Sequence, residues 1–241
     1  MKVKFECLDN YLDSLKEVAL IVDMANNNIQ NNEEYVALNK SAILLLAAKF
    51  ENFIEAIVEE FVYYINELNL PNEQVPEWMR IGFSLDVVSD LMKIVSKEEN
   101  SKKITCLKNI ADIWNDEKTT KMKVNNKFNY GKHGANELIK LFNKIGIKDI
   151  FKTIKVYSLE ESLLDEVEEH DFKGTFNNIT NQRNYITHQD GSPSITHSEI
   201  SRYKEYFKQF AEKLSEYLIC EIEKLNNLMV DTQEQIAATL S

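Results

Sequence analysis

The stretch Ala42-Ile43-Leu44-Leu45-Leu46-Ala47-Ala48-Lys49-Phe50-Glu51-Asn52-Phe53-Ile54-Glu55 decides the fold class of this chain. Its first half is apolar on every side of a helix, which places that helix at the centre of a bundle rather than on a surface. Lys49, Glu51, Asn52 and Glu55 then bring polar groups onto a helix otherwise committed to the core. The pattern extends outward as one very long helix over Glu33 to Leu70, with Pro71 expected to stop it.

The rest of the chain reads the same way. Among 241 residues only 6 are Gly and 3 are Pro, while 44% are hydrophobic, so there is room for long helices and little for many hairpins. Leu12, Leu15, Val18, Ala19 and Val22 mark an amphipathic helix over Leu8 to Asn26, ended by an asparagine-rich run. Helices are expected over Trp78 to Val95, Ser101 to Trp114, and Ala135 to Ile145, the last closed by a left-handed Gly146. The stretch Asn115 to Lys132 between them is polar and the least core-like. Ser158-Leu159-Glu160-Glu161 and Thr196-His197-Ser198-Glu199 each read as a capping box. The first opens an acidic helix. The second opens a helix through Tyr203, Phe207, Phe210, Leu214 and Leu218 toward Leu228, and the tail Asp231 to Ser241 either extends it or frays. Phe172 to His188 forms one more helix. The expectation is all-α: two N-terminal and two C-terminal helices as a four-helix bundle, with the middle segment packed against it.

Charge and cysteines narrow the function classes. The net charge is −11, yet Ser101 to Val156 holds 13 Lys against 5 Asp or Glu, a local excess of 13 − 5 = +8. The remainder then carries −11 − 8 = −19. Either a basic face sits within an acidic body, which keeps nucleic acid open as a partner, or the lysines are a solvated surface. Cys7, Cys106 and Cys220 are odd in number and widely spaced, which suits a reducing cytoplasm, argues against a zinc site, and makes buried, inert thiols the expectation. No secretory signal or membrane-spanning run is expected.

Gln182-Arg183-Asn184-Tyr185-Ile186-Thr187-His188 carries the chemistry. Asn184 and His188 share a helical face, and Arg183 reaches the same space. His188 ends the helix just before Asp190-Gly191, where the dipole's negative end favours imidazolium. A proton-moving group beside a fixed cation is what RNA cleavage through a phosphorane requires. Other uses of the same residues are a helix cap by His188 and an ion pair between Arg183 and the long second helix.

The Arg-Asn-x3-His element, the long apolar helix upstream and the middle insertion resemble the HEPN superfamily, most of all its RiboL-PSP and MAE-type nuclease branches. The resemblance covers most of the chain as a single helical domain, with its core at about 8–70 and 158–228 and a basic insertion at about 71–157. It implies a metal-independent endoribonuclease of bacterial defence or toxin systems, with no cofactor. The expected products carry 2′,3′-cyclic phosphate and 5′-hydroxyl ends. Arg183 and His188 would be catalytic, and Asn184 would orient the substrate. It also implies a homodimer whose two motifs face one cleft, and a possible neutralising antitoxin or partner protein. Some HEPN members are instead non-catalytic modules that bind nucleotide or protein. Thr187-His188-Gln189 departs from relatives that have a small residue before His and Gly after it.

Supporting roles follow. Glu51 and Glu55 form an i, i+4 pair, and Glu51 is the first choice to hold Arg183; a solvated glutamate is the plain alternative. A di-metal reading fails for lack of Glu-x-x-His partners. Tyr185 could stack on a base, with core or interface packing the simpler use. Lys121, Lys123 and Lys127 are candidates for RNA phosphates. Glu169-His170-Asp171 reads as a helix surface, His133 as a plain turn, and His197 as structural.

Overall fold

The computed structural model describes residues 3–94, 100–125, 127, 134–159 and 168–240, with side chains of the last helix as far as Asn227. Among them are α1 (Glu6–Asn27), α2 (Asn32–Glu67), α3 (Glu77–Lys93), α4 (Asn100–Ile113), α5 (Ala135–Lys144), the short α6 (Ile150–Thr153), α7 (Phe172–Gln189) and α8 (His197–Leu240). The only extended pairing among described residues is an isolated antiparallel bridge between Tyr157 and Glu169. The protein is all-α, as the scarcity of turn-formers requires. His133, and Glu160 and Glu161 of the capping box that starts at Ser158, lie outside the described residues.

The bundle is α1, α2, α7 and α8. α2 packs against the other three, and α8 also against α1. Ala42, Ile43, Leu46, Phe50, Ile54 and Ile57 are fully buried along α2, while Leu44 and Leu45 are half-buried and Ala48 is exposed, so the apolar stretch turns one side to the bundle centre and is not enclosed all round. Phe50 is the hub. Its ring lies 4.6 Å from Phe207 of α8 and 5.5 Å from Phe176 of α7, both in tilted or edge-on geometries favoured by ring quadrupoles. Phe151 of α6 reaches the same cluster through Phe172, Phe176 and Phe210.

One helix boundary carries a correction. α2 stops at Glu67 rather than at Pro71, because Asn69 turns left-handed at φ 50° and ends the helical path before the proline. α8 runs on past Leu228 to Leu240, so the tail extends it. Two further signals hold. Gly146 sits at φ 84° after α5, and a β-carbon there would meet the Trp78 indole nitrogen at 2.6 Å. The capping box at α8 is reciprocal: Glu199 N–H donates to Thr196 Oγ1 (3.3 Å), and Thr196 N–H to the Glu199 carboxylate (2.9 Å).

The segment after α4, expected to be the least core-like, is pinned down as far as it is described. Met122 is buried, and Asn66 of α2 clasps its backbone from both sides, donating to the carbonyl (2.8 Å) and accepting from the N–H (2.9 Å). Asn72, wholly buried, donates to the carbonyls of Asp112 and Asn115 and accepts from Thr120 N–H. Polar composition hid this because the anchoring is made by asparagine side chains, which periodicity does not register.

Candidate active site

α7 begins with Asp171, whose carboxylate accepts from Gly174 N–H (2.9 Å) as an N-cap. Phe172, Phe176 and Ile179 drive its first half into the bundle, and Ile186 anchors its second half. Those apolar positions leave Arg183, Asn184 and His188 on the outer side. Arg183 and Asn184 are half-buried and His188 is exposed.

Arg183 donates from Nη1 to Asn184 Oδ1 (3.1 Å), so two of the three motif side chains are fixed to each other. Thr187 donates back to the Arg183 carbonyl, tightening the same turn. Glu51 of α2 faces this pair. Burial raises its carboxyl above the ordinary glutamate range, the Arg183 charge pulls it down, and the neighbouring Glu55 pushes it up again. The acidic residue singled out on the long helix is therefore within electrostatic reach of the motif arginine.

The exit from α7 is built rather than loose. Asp190 adopts φ 48°, ψ 29°, and Gly191 N–H donates back to the Tyr185 carbonyl (3.3 Å), closing the helix with a left-handed turn. Tyr185 is 44% exposed and not part of the core. Its ring covers Gly191 so closely that a β-carbon there would lie 2.0 Å from the ring. Lys40 of α2 donates to both the Asp190 carboxylate (2.8 Å) and the Asp190 carbonyl (3.1 Å). That contact holds the Asp190 carboxyl below its usual range. Lys40 was not singled out from the sequence. A signal existed: Lys40 and Glu51 are eleven residues apart, three helical turns, and so share one face of α2.

Other candidates fall elsewhere. Lys127 is paired with Glu55 (2.6 Å) and Lys121 with Glu67 (3.1 Å), both on α2. Lys123 lines a groove with Asp86 and Asp90 of α3. Two of the insertion's lysines thus dock against the acidic flank of the long helix, while Lys118, Lys140, Lys144 and Lys152 pair with carboxylates of the insertion itself. His170 is not on a helix surface: its ring stacks on Tyr206 at 3.6 Å and shares a hydrogen bond with Thr175 Oγ1 (2.7 Å). Burial lowers its pKa. His197 shares a hydrogen bond with the Tyr35 hydroxyl (3.1 Å), a structural role. Among the described residues no cluster of His, Cys, Asp or Glu could hold a metal ion. Cys7 is buried and its thiol pushed well up by burial, but Cys106 is half-buried and Cys220 exposed, so inert burial describes only the first. No described helix is long and apolar enough to cross a membrane.

The model of the family described as RiboL-PSP-HEPN matches residues 9–219, a span that runs from α1 into α8 and contains every motif residue above. No curated protein and no solved structure shows a significant match.

Proposed function

The chain belongs to the RiboL-PSP-HEPN family, and from that premise we propose that it is a metal-independent endoribonuclease acting as a bacterial defence or toxin effector. The observation that carries this reading is the grouping of Arg183, Asn184 and His188 on the last turns of α7, with Glu51 bearing on the arginine.

In this reaction a ribose 2′-oxygen attacks the adjacent phosphorus and loses its proton to a base. The bond from phosphorus to the 5′-oxygen breaks, and that oxygen takes a proton from an acid. The products are a 2′,3′-cyclic phosphate and a 5′-hydroxyl. His188, exposed at the end of a rigid helix, serves as base or acid. One imidazole cannot hold both roles in the same step, so a second copy supplies the other. Arg183 has donors beyond the one on Asn184, and these meet the phosphorane oxygens as charge develops. Asn184 keeps the guanidinium in place, and Glu51 stabilises its charge from below. Tyr185, lying on Gly191, holds the turn that follows His188.

Lys121, Lys123 and Lys127 take flanking phosphates. The side chains of Lys121 and Lys127 are 67% and 69% exposed, while their partners Glu67 and Glu55 are 35% and 20% exposed, and lysines this open are able to exchange glutamate for phosphate.

The test is made on the substrate side. RNA incubated with the protein in a chelator is expected to be cut, leaving cyclic phosphate ends. A single 2′-deoxynucleotide at the cleaved position is expected to block that cut. Products with 5′-phosphate ends, or cutting that survives the 2′-deoxy substitution, would overturn the mechanism.

A further inference from the structure

Among the described residues three aromatic side chains are exposed: Tyr63, Trp114 and Tyr185. Tyr63 lies edge-on to Tyr64 at 5.6 Å, and Trp114 has the Arg80 guanidinium over its ring at 4.9 Å. Tyr185 adjoins the motif instead. Its ring lies along Gly191, where a β-carbon would fall 2.0–2.4 Å from three of the ring atoms, so a glycine is what lets the ring rest there. The turn beneath is held by Gly191 N–H donating to the Tyr185 carbonyl (3.3 Å) and by Lys40 on the Asp190 carboxylate (2.8 Å). At 44% exposure, much of the ring still faces solvent. An aromatic face mounted in advance costs little ordering when a flat ligand settles on it.

We infer that Tyr185 is a stacking platform for one unpaired nucleobase beside the scissile phosphate. Such a platform rests on the ribonuclease reading above and names the form of RNA it takes. Position selects this ligand. At about 100° per residue, Arg183, Asn184, His188 and Tyr185 follow one another round α7 in that order. Tyr185 and His188 are i, i+3 neighbours, with β-carbons about 5–6 Å apart. A phosphate drawn to Arg183 and His188 thus has the ring at its far edge, where an attached nucleoside can lay its base. Stacking reads a π-face and not a base edge, so Tyr185 accepts any of the four bases. It does require that base to be outside a duplex, since bases within an RNA helix are stacked on one another. The site therefore takes single-stranded or bulged RNA and draws no base preference from this residue.

The test is binding, made with two short 2′-O-methyl RNA chains of equal length, one carrying bases and one abasic throughout. Neither can be cut, because the methyl group blocks the attacking 2′-oxygen. Wild type is expected to bind the base-bearing chain more tightly by on the order of tenfold. Tyr185→Leu keeps an apolar side chain over Gly191 but has no π-face. It should lose most of that preference while binding the abasic chain like wild type, and Tyr185→Phe should restore the preference. Pairing the base-bearing chain with its complement should remove the difference between wild type and Tyr185→Leu. A wild type that binds both chains equally, or neither, would overturn the proposal. So would a folded Tyr185→Leu that keeps the preference, or one that weakens both chains alike, which would assign the ring to the turn alone. Native RNA cut by a wild type without base preference would remove the platform and leave the ribonuclease. A base preference without any cutting would remove the ribonuclease and leave the base site.

Discussion

The bundle and the insertion are both helical, but they are held together by different physics. Around Phe50 the contacts are aromatic and aliphatic and closed to water. In the insertion, by contrast, buried asparagines grip backbone, and lysines bridge to glutamates of α2. A core of the first kind is set by volume and shape, whereas attachment of the second kind is set by hydrogen bonds that must all be satisfied. The candidate active site lies on the seam between the two. α7 is driven into the bundle by Phe172 and Phe176, and its Asn177 accepts from Ala135 N–H at the start of α5 (3.0 Å). Glu51 faces the motif, while Glu55, one turn on, holds the insertion through Lys127.

Breaking the bundle should cost most. Phe50→Ala leaves a cavity among six aromatic rings and is expected to destabilise the protein by about 3–5 kcal/mol in denaturant unfolding. A loss below about 1 kcal/mol would mean the cluster is not the core. Breaking the insertion's anchor comes next. Asn72→Ala strands the carbonyls of Asp112 and Asn115, for an expected loss of about 1–3 kcal/mol. Hydrogen exchange should show that loss concentrated in residues 112–122, with α1, α2 and α8 little changed. Uniform loosening would argue that the two regions are one cooperative unit. Lys127→Ala, removing a largely exposed ion pair, should cost less than about 1 kcal/mol.

The seam itself is probed by pH. Asp190 has a depressed pKa, so its contribution is present above the ordinary aspartate value and is lost as pH falls through the lower folded value. Acidification through that window should free Lys40 and loosen the turn after His188, and Lys40→Met should abolish that pH response. Glu51 has a raised pKa, so the folded state binds its proton more tightly than the unfolded chain does. Its contribution therefore falls as pH rises from the ordinary glutamate value through the raised one. Glu51→Gln should remove that part of the pH dependence of unfolding, and an unchanged profile would show that the carboxyl is not titrating in a buried setting.

What the sequence made legible follows the same division. The bundle could be read because apolar residues recur at helical spacing and the unbroken apolar run Ala42 to Ala48 leads into Phe50 on the same helix. The motif could be read because Arg183, Asn184 and His188 are adjacent in sequence and share one helix. The link from Lys40 to Asp190 spans 150 residues, and the grip of Asn66 on Met122 spans 56. Beyond the helical face that Lys40 shares with Glu51, nothing local signals such pairs: each partner is an ordinary polar residue until the fold brings them together. The +8 of the middle segment was legible as a number, but its partners were not: glutamates of α2 for Lys121 and Lys127, and carboxylates of the insertion itself for Lys118, Lys140 and Lys152. Composition records how much charge a segment holds and not what answers it.

The central claim is that the outer face of α7 performs chemistry. It is tested most directly by the single-turnover rate of RNA cleavage in a chelator for wild type, His188→Ala and Arg183→Ala, with unfolding measured on the same preparations. Both positions are on the outer side of α7, so stability should stay close to wild type while the rate falls by at least about a hundredfold in each variant. Folded variants that cut as fast as wild type would contradict the account.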